Sequence, residues 1–154
     1  MPDYVVTPLV GVGPVQLGMP REAVLRSMQV ASKPFRKRKS SPHETDSFHG
    51  ASFQVFYSGD EPRVEYIELS RSTELRVLLR DLDVFALPAE QVAEAIAREA
   101  PYDPNWREFP CAYIFRSLQL SLWRPVVPSS ASDTEGRYFS TIGIGVKGYY
   151  DDVA

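Results

Sequence analysis

The 154-residue chain has one cysteine, two histidines and no long hydrophobic run. Cys111 alone cannot form an internal disulfide, which is typical of proteins in a reducing cytoplasm. No window approaches the roughly 18 uninterrupted apolar residues of a membrane span. The first residues, MPDYVVTPLVGVGP, lack both the basic region and the apolar run of a signal peptide. We therefore expect a cytoplasmic protein with no membrane contact.

Acidic and basic residues are nearly balanced, with 20 Asp and Glu against 17 Lys and Arg. A net charge of −3 gives no global electrostatic reason to bind nucleic acid. Four adjacent cations, residues 36–39, could meet phosphates, but no aromatic platform or nucleic-acid motif accompanies them. The glycines of GVGPVQLG lack the spacing of a phosphate-binding loop and have Pro14 between them. Nucleic acid is therefore not predicted as a partner.

One pattern is present twice. LGMPREAVLRSM (17–28) and ALPAEQVAEAI (86–96) each have a proline at the helix start, a glutamate in the first turn and an apolar stripe. Each follows an extended segment, VGPVQLGM (12–19) in the first case and RVLLRDLDVFAL (76–87) in the second. Both stretches predict a strand, a tight connection and a short amphipathic helix.

A hairpin pattern follows each predicted helix. The first joins FQVFY (53–57) to RVEYIELS (63–70), and the second joins CAYIF (111–115) to LQLSLWRP (118–125). A last strand is predicted within RYFSTIGIGVKGYY (137–150).

The two patterns together predict an α+β fold in a single domain, residues 1–154. Two tandem strand–helix–hairpin repeats, about 1–70 and 71–154, are expected to form one curved, mostly antiparallel sheet with the helices packed on one face. The polar stretch of about 31–50 is interpreted as a mobile loop. Hairpin edges at both ends of the sheet leave a homodimer open as an alternative.

The strand around Trp123 predicts a binding face. Alternation turns Leu120 and Leu122 to the core and leaves Trp123 on the polar side. In the last strand, Gly143 and Gly145 permit close approach of another body or of an aromatic ring. Two interpretations remain: Trp123 covers backbone as part of a second small core, or it contacts a protein partner. The predicted partner-binding residues are Trp123, Tyr113, Phe115, Tyr149, Gln119, Tyr66 and Glu68.

Reactive side chains are few, and none predicts a reaction. His43 and His49 flank two carboxylates in HETDSFH (43–49), but their spacing matches no tight metal pattern. Cys111 has apolar neighbours and is expected to be a buried thiol. We predict no catalytic residue, metal site or cofactor. The alternative hypothesis is a small-molecule-binding protein or hydrolase with a pocket near the 31–50 loop, using His43 and His49.

Several stretches also carry a resemblance: GVGPVQLGMPREAV, a VFY and VEYIELS hairpin, LPAEQV, SLWRP and IGVKGYY. Together they resemble small uncharacterised bacterial proteins of the immunity-protein type. The doubled layout is similar to beta-lactamase inhibitory proteins, which grip an enzyme with an aromatic-rich sheet face, and to small outer-membrane-assembly lipoproteins. Those lipoproteins carry a lipobox cysteine near the start, which is missing here. The resemblance implies a non-catalytic inhibitor of a bacterial toxin or enzyme.

Overall fold

The computed structural model describes residues 1–151 and shows an α+β protein built mostly of strands. The strands are β1 (Asp3–Thr7), β2 (Gly11–Val12), β3 (Val15–Gln16), β4 (Asp46–Phe48), β5 (Phe53–Ser58), β6 (Arg63–Ser70), β7 (Arg76–Leu79), β8 (Leu82–Asp83), β9 (Ala112–Phe115), β10 (Leu120–Trp123) and β11 (Thr141–Gly145). The helices are α1 (Arg21–Ser27) and α2 (Ala89–Ala97). The predicted α+β class is confirmed. Residues 152–154 of the predicted second half lie outside the described part.

The strands form two sheets, so the prediction of one continuous sheet is not met. The large sheet has the order β4-β5-β6-β11-β10-β9 and is antiparallel throughout. The small sheet has the order β3-β2-β1-β7-β8. The physical reason is that β7 does not extend the large sheet beside β6. It pairs in parallel with β1 instead.

Both predicted helices are present and begin after a proline. Pro20 and Pro88 were predicted at the first helical position of α1 and α2. In the structure they are the N-cap residues, so each helix begins one residue after its proline. In α2, Val92 and Ile96 are buried as the apolar stripe requires. In α1, Leu25 is 41% exposed, because this helix has only two turns and buries a narrow face. Neither helix in residues 1–151 is long and apolar enough to cross a membrane.

The two faces of the large sheet differ. The inner face contributes to the main core, which also includes side chains of both helices and the small sheet. The outer face carries a second, smaller cluster of Trp106, Ala112, Ile114 and Tyr150. Alternation therefore gives the large sheet an apolar inner face and an outer face that is only partly covered.

The polar stretch 31–50 contains regular structure that the sequence did not predict. Its last part forms β4, which pairs with β5 at one edge of the large sheet. Asp46 in β4 is fully buried and accepts two hydrogen bonds from Arg21 at 3.0 Å. It also accepts hydrogen bonds from the hydroxyls of Ser32 at 2.7 Å and Tyr57 at 2.5 Å. The mobility of the rest of this stretch stays a prediction.

Candidate functional site

A cavity of about 340 Å³ opens on the outer face of the large sheet. Ligand pockets usually span about 300–1,000 Å³, so this one suits a small ligand or a single side chain. It is lined by strands from both halves and by two loops. Its lining residues are Tyr66, Glu68, Trp106, Glu108, Ala112, Ile114, Ser121, Leu122, Trp123, Thr141 and Tyr150.

Two rows of cross-strand neighbours contribute most of the strand residues that line the cavity. In the first row, Glu68 pairs with Gly143, Gly143 with Ser121, and Ser121 with Ile114. The second row runs Ser70, Thr141, Trp123 and Ala112. Glu68 on β6 and Trp123 on β10 thus lie on either side of β11. Because Trp123 is also two residues further along than the position opposite Glu68, their backbones are about 12 Å apart by strand spacing and rise.

Three hydroxyl groups meet at one wall of the cavity. The Tyr150 hydroxyl donates to Ser121 Oγ at 2.7 Å and lies 3.2 Å from the Tyr66 hydroxyl, and the Tyr66 hydroxyl lies 3.3 Å from Ser121 Oγ. Burial raises the pKa values of Tyr66 and Tyr150, so both stay neutral near pH 7. No histidine lines the cavity among the described residues. The hydrogen-bond partners that the structure gives Ser121 Oγ are the hydroxyls of Tyr66 and Tyr150.

Gly143 makes room for this hydroxyl group cluster. A Cβ at position 143 would lie 1.8 Å from the Tyr66 hydroxyl and 3.0 Å from Ser121 Oγ. At Gly145, a Cβ would lie 2.5 Å from the Tyr149 side chain. Aromatic side chains of the chain itself thus pack against both glycines. This is one of the two possibilities stated from the sequence, the other being the approach of another body. Trp123 faces Thr141 instead of the glycines.

Glu68 is the carboxylate at the base of the cavity. The residue is partly buried, and no side chain or backbone group in residues 1–151 forms a hydrogen bond or ion pair with its carboxylate. Burial raises its pKa, and the positive charge of Lys37 opposes that rise only in part. Lys37 itself lies over the ring of Phe56, with Nζ 5.2 Å from the ring centroid. An ionised Glu68 therefore has unused hydrogen-bonding capacity.

Three of the seven predicted partner-binding residues line the cavity: Trp123, Glu68 and Tyr66. Trp123 is 39% exposed. Tyr149 lies beside them and stacks on Tyr66 with ring centroids 4.6 Å apart. Burial raises the pKa of Tyr149 to about 12.

The other three predicted residues are buried and do not belong to this face. Tyr113 pairs with Leu122 and Phe115 with Leu120, and cross-strand partners share a face, so both aromatic rings enter the main core. Gln119 has a left-handed backbone (φ 49°) that interrupts the alternation before β10. Its amide instead accepts from the backbone N–H of Tyr150 and donates to Asp151. The prediction that these three residues are accessible is wrong.

The remaining lining residues could not be identified from local sequence patterns. Trp106 and Glu108 come from an irregular loop without periodicity, and Tyr150 follows the last strand. Ser121 and Thr141 did lie on the polar side of the predicted strands. Their place in a cavity depends on the pairing of β10 with β11, which alternation alone does not specify.

The residues proposed for alternative chemistry are separated. His43 shares a hydrogen bond with the carbonyl of Gly59 at 2.6 Å, whereas His49 bonds the Tyr4 hydroxyl at 2.7 Å. A depression of about 210 Å³ beside the 31–50 stretch includes His43 but not His49. No group of three or more potential metal ligands occurs in the described residues. Cys111 is half-buried, so it is more accessible than predicted.

Comparison of the chain with family models, with curated proteins and with solved structures gave no match.

Proposed function

We propose that this chain is a non-catalytic protein-binding module that contacts its partner with the outer face of the large sheet. The observation that carries the proposal is the exposure of Trp123, a residue that is 39% exposed at a cavity with aromatic walls. Tryptophan and tyrosine are enriched among the residues that dominate binding energy at protein interfaces. The inner face is closed by the main core, so the outer face is the side of the large sheet that a partner can reach.

We also infer that the two halves are a tandem repeat. The strand order of the large sheet supports this, because β4-β5-β6 and β11-β10-β9 meet at β6 and β11 and each set follows one helix. The cavity takes side chains from β6 in the first half and from β9, β10 and β11 in the second. A repeat would thus create the binding face where its two copies meet.

An immunity-type inhibitor of a bacterial toxin or enzyme is the specific form that we propose. Its support is the sequence resemblance to immunity proteins and beta-lactamase inhibitory proteins. A cytoplasmic location is proposed on the single cysteine. If the partner is a toxin, expression of this chain together with it should restore growth.

Photo-crosslinking from position 123 tests the binding face. Trp123 is replaced by the photoreactive residue p-benzoylphenylalanine, which retains an aromatic side chain, and the protein is irradiated in its native cell. Leu25 on α1 is the matched control, because it is 41% exposed and lies outside the cavity. We expect a discrete protein adduct from position 123 and none from position 25.

A second measurement tests whether the crosslinked protein binds this chain without crosslinking. The captured partner is purified, and its affinity for the native chain is compared with its affinity for Trp123→Ala. A loss of about 30-fold, or about 2 kcal/mol, is the expected scale for a central aromatic residue. The same adducts from both positions, or equal affinities for both chains, would refute the proposal.

A further inference from the structure

The cavity combines one carboxylate with several aromatic rings. Glu68 lies at its base, and the rings of Tyr66, Trp106, Trp123 and Tyr150 belong to its walls. Glu108, which is exposed, adds a second acidic group to the lining. No lysine or arginine is among the lining residues that the structure describes. Both the charge and the ring surfaces of the cavity therefore favour a cation.

The cations of the chain that approach this face are already engaged. Arg116 lies over Trp106 at 5.5 Å and is ion-paired with Asp103 at 3.1 Å. Lys37 influences Glu68 electrostatically but forms no ion pair with it, and its ammonium group lies over Phe56. Aromatic rings on this side of the protein thus already receive two cationic side chains, while the Glu68 carboxylate has no cationic partner within the described residues.

We propose that the cavity accepts a lysine or arginine side chain of the partner, with the cationic group at Glu68 and the apolar stem along Trp123. This proposal rests on the proposed protein-binding function. Lysine and arginine bury their apolar stems against apolar surface while the charged head reaches a polar group. Trp123 and Glu68, on either side of β11 and in the same cavity, offer an apolar surface and a carboxylate for these two parts. Thr141, between them on β11, would lie beneath the stem.

The free energy of such a contact comes from two sources. A carboxylate that binds a cation in a partly desolvated site forms a charge-assisted hydrogen bond, which is stronger than a neutral one. A cation near an aromatic face gains an additional electrostatic attraction. A neutral side chain of the same shape would retain only the apolar contact with Trp123. The charge of the guest should therefore decide the affinity.

Both tryptophans of the chain line the cavity, so their indole N–H resonances report on its occupancy. We would titrate the full-length ¹⁵N-labelled protein with N-acetyl-lysine methylamide, N-acetyl-arginine methylamide and the neutral N-acetyl-norleucine methylamide. The two cationic probes should give saturable shifts of the Trp106 and Trp123 indole signals. Norleucine should bind at least about tenfold more weakly, since tenfold corresponds to about 1.4 kcal/mol.

Glu68→Gln is the decisive variant, because it removes the charge and keeps the shape. It should weaken binding of both cationic probes by at least about tenfold and leave norleucine unaffected. Glu94→Gln is the matched control, since Glu94 is an exposed carboxylate on α2 outside the cavity. Equal affinity for norleucine and lysine, unchanged binding by Glu68→Gln, or no shift with either cationic probe would overturn the proposal.

The outcomes separate this inference from the proposed function. A photo-crosslinked partner whose affinity depends on Trp123 but not on Glu68 would refute the cation site and leave the binding face intact. Binding of the lysine probe without any protein adduct at position 123 would refute the protein-binding function instead.

Discussion

Glu68 lies where a carboxylate loses much of its hydration without gaining a cationic partner from the described chain. Burial raises its pKa, so the folded state holds this proton at a pH where the unfolded chain has released it. Stability linked to Glu68 is therefore complete below the unfolded pKa of about 4.3 and declines as the pH rises through the folded value. The facing tyrosines, Tyr66, Tyr149 and Tyr150, remain neutral in this range.

Substitution of Glu68 by glutamine should remove this pH-dependent loss. Glu68→Gln is expected to gain stability relative to the native chain between pH 4 and pH 7, because only the native chain carries the partly buried charge. Urea unfolding at a series of pH values measures the difference. A difference between the two proteins that does not change with pH, or that changes in the opposite direction, would contradict the environment assigned to Glu68.

Among the elements, β4 depends on a buried charge for its position at the sheet edge. Burial alone would raise the pKa of Asp46, but hydrogen bonds from Arg21, Tyr57 and Ser32 outweigh burial and hold the pKa below its ordinary value. This interaction stabilises the fold above the unfolded pKa of about 3.9 and is lost as the pH falls through the folded pKa. It connects α1, the 31–50 stretch and β5.

Removal of the arginine should therefore destabilise the protein strongly. Arg21→Met is expected to lower the free energy of unfolding by about 2–4 kcal/mol at pH 7, because it leaves a buried carboxylate without its cation. The loss should shrink in acid, where Asp46 becomes protonated. Chemical denaturation at both pH values measures it. Arg76→Met is the control, because the Arg76–Asp3 ion pair is exposed, and an equal effect of the two substitutions would contradict the role of Asp46.

Local patterns predicted the helices and the long strands, because proline positions and alternation are properties of neighbouring residues. RVEYIELS coincides with β6, and both predicted helices lie within a few residues of α1 and α2. β1 was missed because its partner, β7, lies about 70 residues away, and β4 was missed because its burial depends on Arg21.

For the binding face, too, local sequence patterns predicted only part of the arrangement. Trp123 could be assigned to the outer face from the leucines beside it. Tyr113 and Phe115 could not, because their face depends on a connection of four residues, 116–119, that fixes the register of β9 against β10.

At the scale of the whole molecule, the two halves are interlocked in both sheets. β6 pairs with β11 in the large sheet, and β1 pairs with β7 in the small sheet. The main core contains side chains from both halves. Each half alone would leave a strand edge unpaired and much of its apolar surface in water.

Separation of the halves should therefore abolish folding. Fragments 1–71 and 72–154 are each expected to lack a cooperative unfolding transition, whereas the full chain should unfold in a single transition. Circular dichroism during thermal and urea unfolding measures both. A cooperative transition of either fragment alone would show that a half is an independent folding unit.

The most direct measurement of the central claim compares the two tryptophans, because both line the same cavity and only one is exposed. Trp106 is 8% exposed and packs against Tyr150, so Trp106→Ala should cost about 3–5 kcal/mol of stability. Trp123→Ala should cost no more than about 1.5 kcal/mol, since 39% of its surface is already in water.

Trp123→Ala should nevertheless weaken binding of the crosslinked partner by about 30-fold. Stability from urea unfolding and affinity from calorimetric titration are measured on the same preparations. A Trp123→Ala protein that loses as much stability as Trp106→Ala, yet binds the partner as tightly as the native chain, would assign Trp123 to the core and contradict the binding face.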